Sequence, residues 1–210
     1  MPLPHVVEAL ATQLAPLQVP AASGSALRAA VLIALHETAD GLGIVFVEKS
    51  AHVRTHAGQV AFPGGMCEQA DADPVQTALR EAHEETGIAP SGVLPLGVVP
   101  TRPDHLARRT FEVVPVVAWW TGGDVLASGD PGEIVAVHDL DVDDLLDPAN
   151  RLTWVHPRGV TGPGFVVGDL FIWGLTAALL DTMFDVAGWT APWDAIRRAA
   201  VPPRFLREPG

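Results

Sequence analysis

The sequence predicts an α/β fold in which helices pack on a mixed β-sheet. Strand-like apolar runs outnumber helical patterns, and the helical patterns lie near the start, the middle and the end of the chain. Helices and sheets each bury one apolar face, so elements in this order are expected to form a sandwich around a sheet. With 210 residues, 48% of them hydrophobic, the chain is long enough to bury a substantial core.

The first predicted elements are a short helix and a β-hairpin. An amphipathic pattern over 6–14 predicts the helix. The apolar runs RAAVLIAL (28–35) and LGIVFVEK (42–49) flank the turn dipeptide Asp40-Gly41. This arrangement is a strong signal for two antiparallel strands.

A central helix and two further strands are predicted next. A helical pattern covers 74–86, and Gly87 supplies a stop because glycine readily adopts the left-handed conformation that ends helices. Apolar runs over 93–100 and 111–120 predict strands.

The C-terminal half predicts three more strands and a last helix. The runs over 134–140, 151–156 and 164–173 are strand-like, and 141–147 is a short acidic helix or turn. The helix covers 174–186 and is rich in small and apolar residues, which is typical of a helix packed in a core.

No internal repeat and no clear break divides the chain. We assign 1–25 to an N-terminal helix and small-residue linker, 26–190 to the main domain, and 191–210 to a C-terminal extension. The extension is rich in proline and is expected to be loosely organised. A homodimer contact through the two ends of the chain is left open.

The charge and cysteine content exclude several classes of protein. The formal net charge is −12, so nucleic acid is not an expected partner, because phosphate-backbone binding needs a broad basic surface. Cys67 is the only cysteine, which excludes an internal disulfide. The start of the chain lacks a signal-peptide pattern, and the apolar run 171–180 is too short to span a bilayer. We therefore expect a cytoplasmic protein with no membrane partner.

Three glutamates crowd one face of the predicted central helix. In REAHEETGI (80–88), Glu81, Glu84 and Glu85 are three or four residues apart or adjacent, so they share a face. Like charges at this spacing weaken a helix. The cluster is either a solvated face, partly balanced by Arg80, or a site that holds a cation.

A glycine-rich turn upstream favours the cation site. Pro63-Gly64-Gly65 could bring backbone groups close to a ligand. Carboxylate oxygens on one rigid face suit Mg²⁺ or Mn²⁺, which prefer oxygen ligands. The absence of a Cys/His cluster argues against structural zinc.

The stretch from Gly65 to Ile88 resembles the Nudix box, written GX5EX7REUXEEXGU with U a bulky aliphatic residue. The REAxEExGI core is intact. Asp71 stands where the pattern has Glu, one extra residue precedes Arg80, and Ala82 is a small choice for U. The resemblance implies a Nudix-type α/β/α sandwich around a mixed sheet.

A second motif resembles one subfamily. KSAHVRTHAGQVAFPGG (49–65) is similar to the extra motif that precedes the box in the coenzyme A pyrophosphatase subfamily. The matching positions are Ser50, Arg54, His56, Gly58, Gln59, Phe62, Pro63, Gly64 and Gly65. Lys49 departs from the pattern, because an arginine is common there. The longer box and the stretches 133–150 and 172–180 also resemble this subfamily, so the resemblance covers roughly 28–185.

The resemblance implies metal-dependent hydrolysis of the diphosphate linkage of coenzyme A or its thioesters. The substrate is a small-molecule nucleotide, the cofactor is Mg²⁺ or Mn²⁺, and the products are 4′-phosphopantetheine, or its acyl form, and adenosine 3′,5′-bisphosphate. Two alternatives stay open. One is a Nudix pyrophosphatase for another nucleotide, such as ADP-ribose or a dinucleoside polyphosphate. The other is a non-catalytic nucleotide-binding module, against which the intact glutamate triplet argues.

The resemblance also implies roles for the site residues. Glu81 and Glu85 are expected to bind the metal, and Glu84 is either a third metal ligand or a general base. Arg80 is expected to orient a glutamate, because arginine pairs well with carboxylates. The expected substrate-binding residues are Arg54, His56, Gly64 and Gly65. The alternative for Arg54 and His56 is a structural role in the loop that contains them.

Other residues near the motifs have weaker assignments. Lys49 ends a strand and is interpreted as an edge charge. Glu133 either approaches the metal from a loop or flanks the strand that follows it. Cys67 is interpreted as incidental. A loop after the central strands has three arginines that either steer an anionic substrate or are merely solvated: Arg102, Arg108 and Arg109.

Overall fold

A computed structural model describes residues 2–17, 27–53, 56–100, 111–123 and 125–206. Its elements in chain order are α1 (His5–Ala11), β1 (Leu27–Glu37), β2 (Leu42–Lys49), β3 (Val60–Ala61), β4 (Gly64–Met66), α2 (Pro74–Thr86), β5 (Val93–Val98), β6 (Phe111–Trp120), β7 (Ile134–Asp141), α3 (Val142–Leu146), β8 (Arg151–Val155), β9 (Thr161–Val167), β10 (Leu170–Ile172), α4 (Gly174–Ala187) and β11 (Arg198–Ala200). The predicted hairpin, central helix and last helix are therefore present, with bounds within two residues of those expected.

The larger sheet has seven strands and is mixed, as expected. Its order is β3-β2-β1-β6-β5, with β4 paired to β1 and β7 paired to β2. β1 and β6 are parallel, whereas the other pairs in this sheet are antiparallel. Along its second edge, β1 pairs with β2 at 35–37 and with β4 at 29–31. The short strand β4 therefore lies beside the first half of β1, on the same side on which β2 pairs with the end of β1.

One face of the larger sheet is covered by α2. Three alternate residues of β1, Ala30, Leu32 and Ala34, are fully buried in the same cluster as Ala78 and Ala82 of the helix. Successive side chains of a strand point to opposite faces, so this alternation gives β1 one face for α2 and one for the rest of the core. The small side chains let the helix approach the sheet closely.

The other face packs against α1, α4 and part of a second sheet. Ile33 and Leu35 of β1 are buried in a cluster with Leu10, Phe165 and Leu180 from these elements. Helices thus lie on both faces of a mixed sheet, which confirms the predicted α/β sandwich. In the described part of the chain, no helix is long and apolar enough to cross a membrane.

The second sheet differs from the prediction of one strand over 164–173. Its order is β10-β9-β8-β11, and β9 and β10 form an antiparallel hairpin. The chain turns at Gly168-Asp169, where Gly168 has φ of 57°, a left-handed conformation that glycine adopts without strain. The apolar residues on both sides of this dipeptide conceal the turn, so the single-strand prediction was wrong.

The C-terminal segment packs on the second sheet. β11 pairs parallel with β8, and Phe205 is buried, with its ring 6.3 Å from that of Trp173 and 6.4 Å from that of Phe171. The described part of this segment, up to residue 206, is therefore more ordered than its prolines indicate. The division of the chain at residue 190 stays a prediction.

A buried arginine ties this segment to α4. Arg151 is 1% exposed, and its guanidinium carbon lies 4.4 Å from the ring centroid of Phe165 and 4.6 Å from that of Trp193. The same guanidinium donates a hydrogen bond to Asp181 of α4. Aromatic faces attract a cation that is removed from water, so Trp193 helps to hold the end of the chain.

Replacing Phe205 is expected to destabilise the protein. Phe205→Ala removes a buried ring and should lower the free energy of unfolding by about 3 kcal/mol, because large-to-small changes lose burial and leave a cavity. The matched control is Ile196→Ala in the same segment, where the side chain is 86% exposed and the change should stay within about 0.5 kcal/mol. Urea denaturation of both variants measures the difference. Equal midpoints for the two would contradict the packing described for this segment.

Candidate active site

Caps at both ends fix the position of α2. The side chain of Asp73 accepts a hydrogen bond from the Gln76 N–H at 2.9 Å, and Pro74 occupies the first turn, where no N–H partner is needed. Gly87 ends the helix with φ of 80°, and its N–H donates to the His83 carbonyl at 2.9 Å. The glutamates therefore lie in a rigid helix, bounded as the sequence predicts.

Glu85 is a buried carboxylate with both oxygens bound. Its side chain is 8% exposed. Lys49, at the end of β2, places Nζ 2.5 Å from Oε1, and the Gly64 N–H donates to Oε2 at 2.9 Å. Burial raises the pKa of Glu85, whereas the ammonium and the backbone N–H oppose that shift. The carboxylate thus joins α2 to two different strands.

Gly65 lies directly against Glu81. A Cβ built on Gly65 would be 2.4 Å from Oε1 of Glu81, a distance at which the carboxylate would have to move. Burial also raises the pKa of Glu81, and the hydrogen bond from Arg80 opposes this shift. The diglycine strand therefore contacts both Glu81 and Glu85, which lie one turn apart.

Gly64 is required for packing as well as for its N–H. A Cβ at this position would lie 2.4 Å from the Ala30 carbonyl oxygen and 2.7 Å from Cα of Val31. Backbone atoms cannot give way as a flexible side chain can. A side chain at Gly64 would thus push β4 away from β1 and move the N–H that binds Glu85.

Arg80 is the centre of a network of carboxylates. Its Nε and Nη2 each lie 3.1 Å from an oxygen of Asp71. Its Nη1 donates to Glu81 at 2.9 Å and to Glu84 at 3.3 Å, and Nη2 also donates to the Met66 carbonyl at 3.2 Å. The hydrogen bonds to Asp71 and Glu81 raise the pKa of Arg80. One cation thus positions two of the three glutamates.

Asp71 takes part despite its short side chain and the extra residue before Arg80. The Thr77 hydroxyl and the Glu68 N–H each donate to its Oδ2 at 2.9 Å, in addition to the two contacts from Arg80. The hydrogen bond from Arg80 is the main cause that lowers the pKa of Asp71 to about 2. The turn before α2 therefore brings the shorter carboxylate into reach, where it acts as an anchor for the arginine.

Glu84 and Glu133 are the exposed carboxylates of the site. Their side chains are 55% and 56% exposed, and Oε1 of Glu133 lies 3.5 Å from the Lys49 ammonium. The loop before β7 is docked on the end of α2, since the Ala127 N–H donates to the Thr86 carbonyl at 3.1 Å. Glu133 directly precedes β7, as one interpretation expects, and its approach to a metal stays a prediction.

Other residues singled out in the sequence make separate contacts or lie outside the described residues. His56 is exposed, has φ of 60°, and its Nδ1 lies 3.2 Å from Oε1 of Gln59. Cys67 is partly buried after β4, where its N–H donates to the Arg28 carbonyl at 2.9 Å. Four of the arginines singled out in the sequence lie outside the described residues: Arg54, Arg102, Arg108 and Arg109.

Lys49 is the residue that sequence reasoning underestimated. It is not an edge charge, because β2 pairs with β7 at this position, and because the Lys49 side chain is 13% exposed with its ammonium between two carboxylates. The sequence did contain a signal for this role, because Lys49 is the only lysine of the chain. It also stands at the end of an apolar strand, as the first residue of the motif 49–65. Its partner Glu85 is 36 residues away and could not be identified from spacing.

A family model for the NUDIX domain matches residues 26–160, which is more than half of the chain. The chain belongs to the Nudix family. It is 35% identical over 164 residues to Nudix hydrolase 15, mitochondrial, of Arabidopsis thaliana, over 73% of this chain and 56% of the plant protein. It is 34% identical over 160 residues to the uncharacterized Nudix hydrolase NudL of Enterobacter sp. strain 638, over 73% of this chain and 79% of NudL. The chain thus spans little more than half the length of the plant relative.

The fold is shared with solved Nudix structures. The NUDIX domain of Shewanella oneidensis NrtR, complexed with ADP ribose, has a TM-score of 0.52 and 17% identity, over 80% of this chain and 92% of that domain. At this identity the likeness concerns the fold alone.

The donors of the site fit the metal chemistry of the Nudix family, whose enzymes generally use divalent ions, typically Mg²⁺. The side chains that could bind a metal are carboxylates, which suit Mg²⁺ and Mn²⁺. Because Gly65 has no Cβ, the Glu81 carboxylate has room beside it. Within the described ranges, no three His, Cys, Asp or Glu side chains form a ready metal-holding group. Two cations are instead bound to these carboxylates, since Arg80 contacts Glu81 and Glu84, and Lys49 contacts Glu85.

The stability contributed by Asp71 is expected to depend on pH. Its pKa is lowered from 3.8 to about 2 in the folded protein, so its contribution is present above pH 3.8 and is lost as the pH falls through about 2. The free energy of unfolding of Asp71→Asn should therefore lie furthest below that of the wild type near pH 5 and approach it as the pH falls. Urea unfolding at several pH values measures this.

Asp169→Asn, in the exposed turn between β9 and β10, is the matched control for the loss of one carboxylate. A constant difference between Asp71→Asn and the wild type over the whole pH range would contradict the ionic role of Asp71.

Proposed function

We propose that this Nudix protein is a divalent-metal-dependent pyrophosphohydrolase that cleaves the diphosphate linkage of coenzyme A or its thioesters. The observation that carries the proposal is the direct contact between the segment 49–65 and the glutamates of α2. Lys49 and Gly64, near the two ends of that segment, both bind Glu85, and Gly65 lies against Glu81. The segment that carries the resemblance to the coenzyme A pyrophosphatase subfamily thus contacts glutamates of the Nudix box at both of its ends, which supports the proposal.

The diphosphate linkage resists hydrolysis because its anionic oxygens repel nucleophiles. A bound divalent ion screens these oxygens and lowers the pKa of a water molecule. Glu81 and Glu85 are the residues proposed to hold the ion. Their carboxylates belong to a capped helix and contact the diglycine strand, so little reorganisation is needed at the moment of reaction.

Arg80 and Asp71 are proposed to position the ligands. Asp71 fixes the arginine through two hydrogen bonds, and the arginine in turn holds Glu81. Residues that orient metal ligands in this way commonly affect metal affinity and activity strongly. Glu84 is proposed to accept the proton from the attacking water, because its exposed carboxylate is reached by solvent and has only a 3.3 Å contact with Arg80.

The substrate would meet the site from the side of the segment 49–65. The Gly64–Met66 strand offers backbone groups close to the carboxylates, and His56 is exposed on the same segment. We propose His56, Gly64 and Gly65 as substrate-binding residues, with Arg54 as a further cation from the same segment. A local cation is needed, because the net charge of −12 opposes an anionic nucleotide.

Product identification tests the substrate. With Mg²⁺ or Mn²⁺ present, mass spectrometry should detect 4′-phosphopantetheine and adenosine 3′,5′-bisphosphate released from coenzyme A, and the acyl form from its thioesters. ADP-ribose and dinucleoside polyphosphates are the competing substrates in the same assay. A higher kcat/KM for one of these would overturn the coenzyme A assignment and leave the Nudix chemistry in place. Binding of coenzyme A without hydrolysis, at any divalent ion concentration, would indicate a non-catalytic module.

Removing the charge of Glu85 is expected to abolish most of the activity. Glu85→Gln keeps the shape of the side chain and should lower kcat by at least about 100-fold, since an electrostatic contact made in the transition state is lost. Glu37→Gln, an exposed position at the end of β1, is the control and should retain wild-type kcat. Steady-state kinetics and a thermal melt on each variant separate catalysis from folding. Wild-type kcat in a folded Glu85→Gln protein would refute the assignment.

A further inference from the structure

The ammonium of Lys49 lies against the buried carboxylate of Glu85, which is the residue proposed above as a metal ligand. Its Nζ lies 2.5 Å from Oε1 of Glu85 and 3.5 Å from Oε1 of Glu133. The Lys49 side chain is 13% exposed, so the ammonium is largely withdrawn from water and is stabilised by these two carboxylates. The ammonium of Lys49 is therefore the cation that balances the charge of Glu85 in the metal-free protein.

The second oxygen of Glu85 is held by the backbone. Oε2 accepts the Gly64 N–H at 2.9 Å. That N–H belongs to a strand packed so tightly on β1 that Gly64 has no room for a Cβ beside the Ala30 carbonyl. The backbone contact is therefore fixed, whereas Lys49 has four rotatable side-chain bonds. Of the two groups that hold Glu85, only the lysine can move away without a change in the fold.

We propose that Lys49 is a displaceable counter-cation, which binds Glu85 in the metal-free protein and gives up this contact when a divalent ion binds. The inference rests on the proposed role of Glu85 as a metal ligand. It adds that the metal competes with a residue of the chain itself. Lys49 is then a positioning residue that keeps the buried carboxylate in place without metal and sets the metal concentration at which the site fills.

The charge and shape of residue 49 should therefore set the order of metal affinities. Lys49→Met removes the competing charge and keeps much of the side-chain length, so the metal should bind more tightly than in the wild type. Lys49→Arg keeps the charge and can bind the carboxylate through two parallel N–H groups. That fork is harder to displace, so the metal should bind less tightly than in the wild type.

Direct Mn²⁺ binding, followed by electron paramagnetic resonance in the absence of substrate, tests the proposal. Lys49→Met is expected to lower the Kd for Mn²⁺ about tenfold, because removing a unit charge a few ångströms from the ligand changes the interaction by at least that factor. The control is Arg198→Gln, which removes one positive charge from an exposed position on β11 and should leave the Kd unchanged.

A thermal melt gives a second readout. In EDTA, Lys49→Met should melt at a lower temperature than the wild type, because Glu85 is left buried without its counter-charge. Saturating Mn²⁺ should raise its Tm by more than it raises that of the wild type. Lys49→Gln, which can still donate a hydrogen bond to the carboxylate, replaces Lys49→Met if the latter does not fold in EDTA, and the same tighter binding is expected.

The outcomes separate this inference from the proposed function. If Mn²⁺ binds the wild type, fails to bind Glu85→Gln, and binds Lys49→Met no more tightly than the wild type, the displacement is refuted while the metal site stands. If the wild type binds no Mn²⁺ at all, the metal role of Glu85 fails, and the inference fails with it. The displacement is supported if Mn²⁺ binds most tightly to Lys49→Met, less tightly to the wild type and least tightly to Lys49→Arg.

Discussion

The arrangement of the site depends on the crowding of negative charge on one helix. Glu81, Glu84 and Glu85 repel one another, and burial of two of them adds to the difficulty, because a charge removed from water needs a partner. Two cations meet this need. Arg80 comes from the helix itself and Lys49 from the end of β2, so the charges of the glutamates are balanced from both sides.

The backbone of β4 imposes the second constraint. The strand fits between β1 and α2 only because Gly64 and Gly65 have no side chains, since a Cβ at either position would meet the β1 backbone or the Glu81 carboxylate. Small residues on the buried face of α2, Ala78 and Ala82, bring the helix close enough to receive the Gly64 N–H. The packing of the core therefore sets the positions of the carboxylates, and a change in core side-chain volume would alter the site from a distance.

Local features of the site could be predicted from the sequence, and long-range pairings could not. The bounds of α2 follow from Asp73, Pro74 and Gly87, which act within a few residues of the helix ends. The contact of Lys49 with Glu85 depends on the register of β2 against the rest of the sheet, which periodicity does not encode. The hairpin at Gly168 was missed because apolar residues continue on both sides of the Gly168-Asp169 turn, so the whole stretch was interpreted as one strand although this dipeptide is a hairpin signal.

Because the chain has a large negative net charge, binding of an anionic substrate depends on the positive charges at the site. A chain of net charge −12 repels a diphosphate, and the guanidinium of Arg80 and the ammonium of Lys49 are already engaged by carboxylates. A divalent ion held by Glu81 and Glu85, as proposed, would change this balance twice. It would add two positive charges at these carboxylates, and the proposed displacement of Lys49 from Glu85 would free an ammonium near them. Metal binding and substrate binding would then be coupled, and by linkage each would strengthen the other by the same factor.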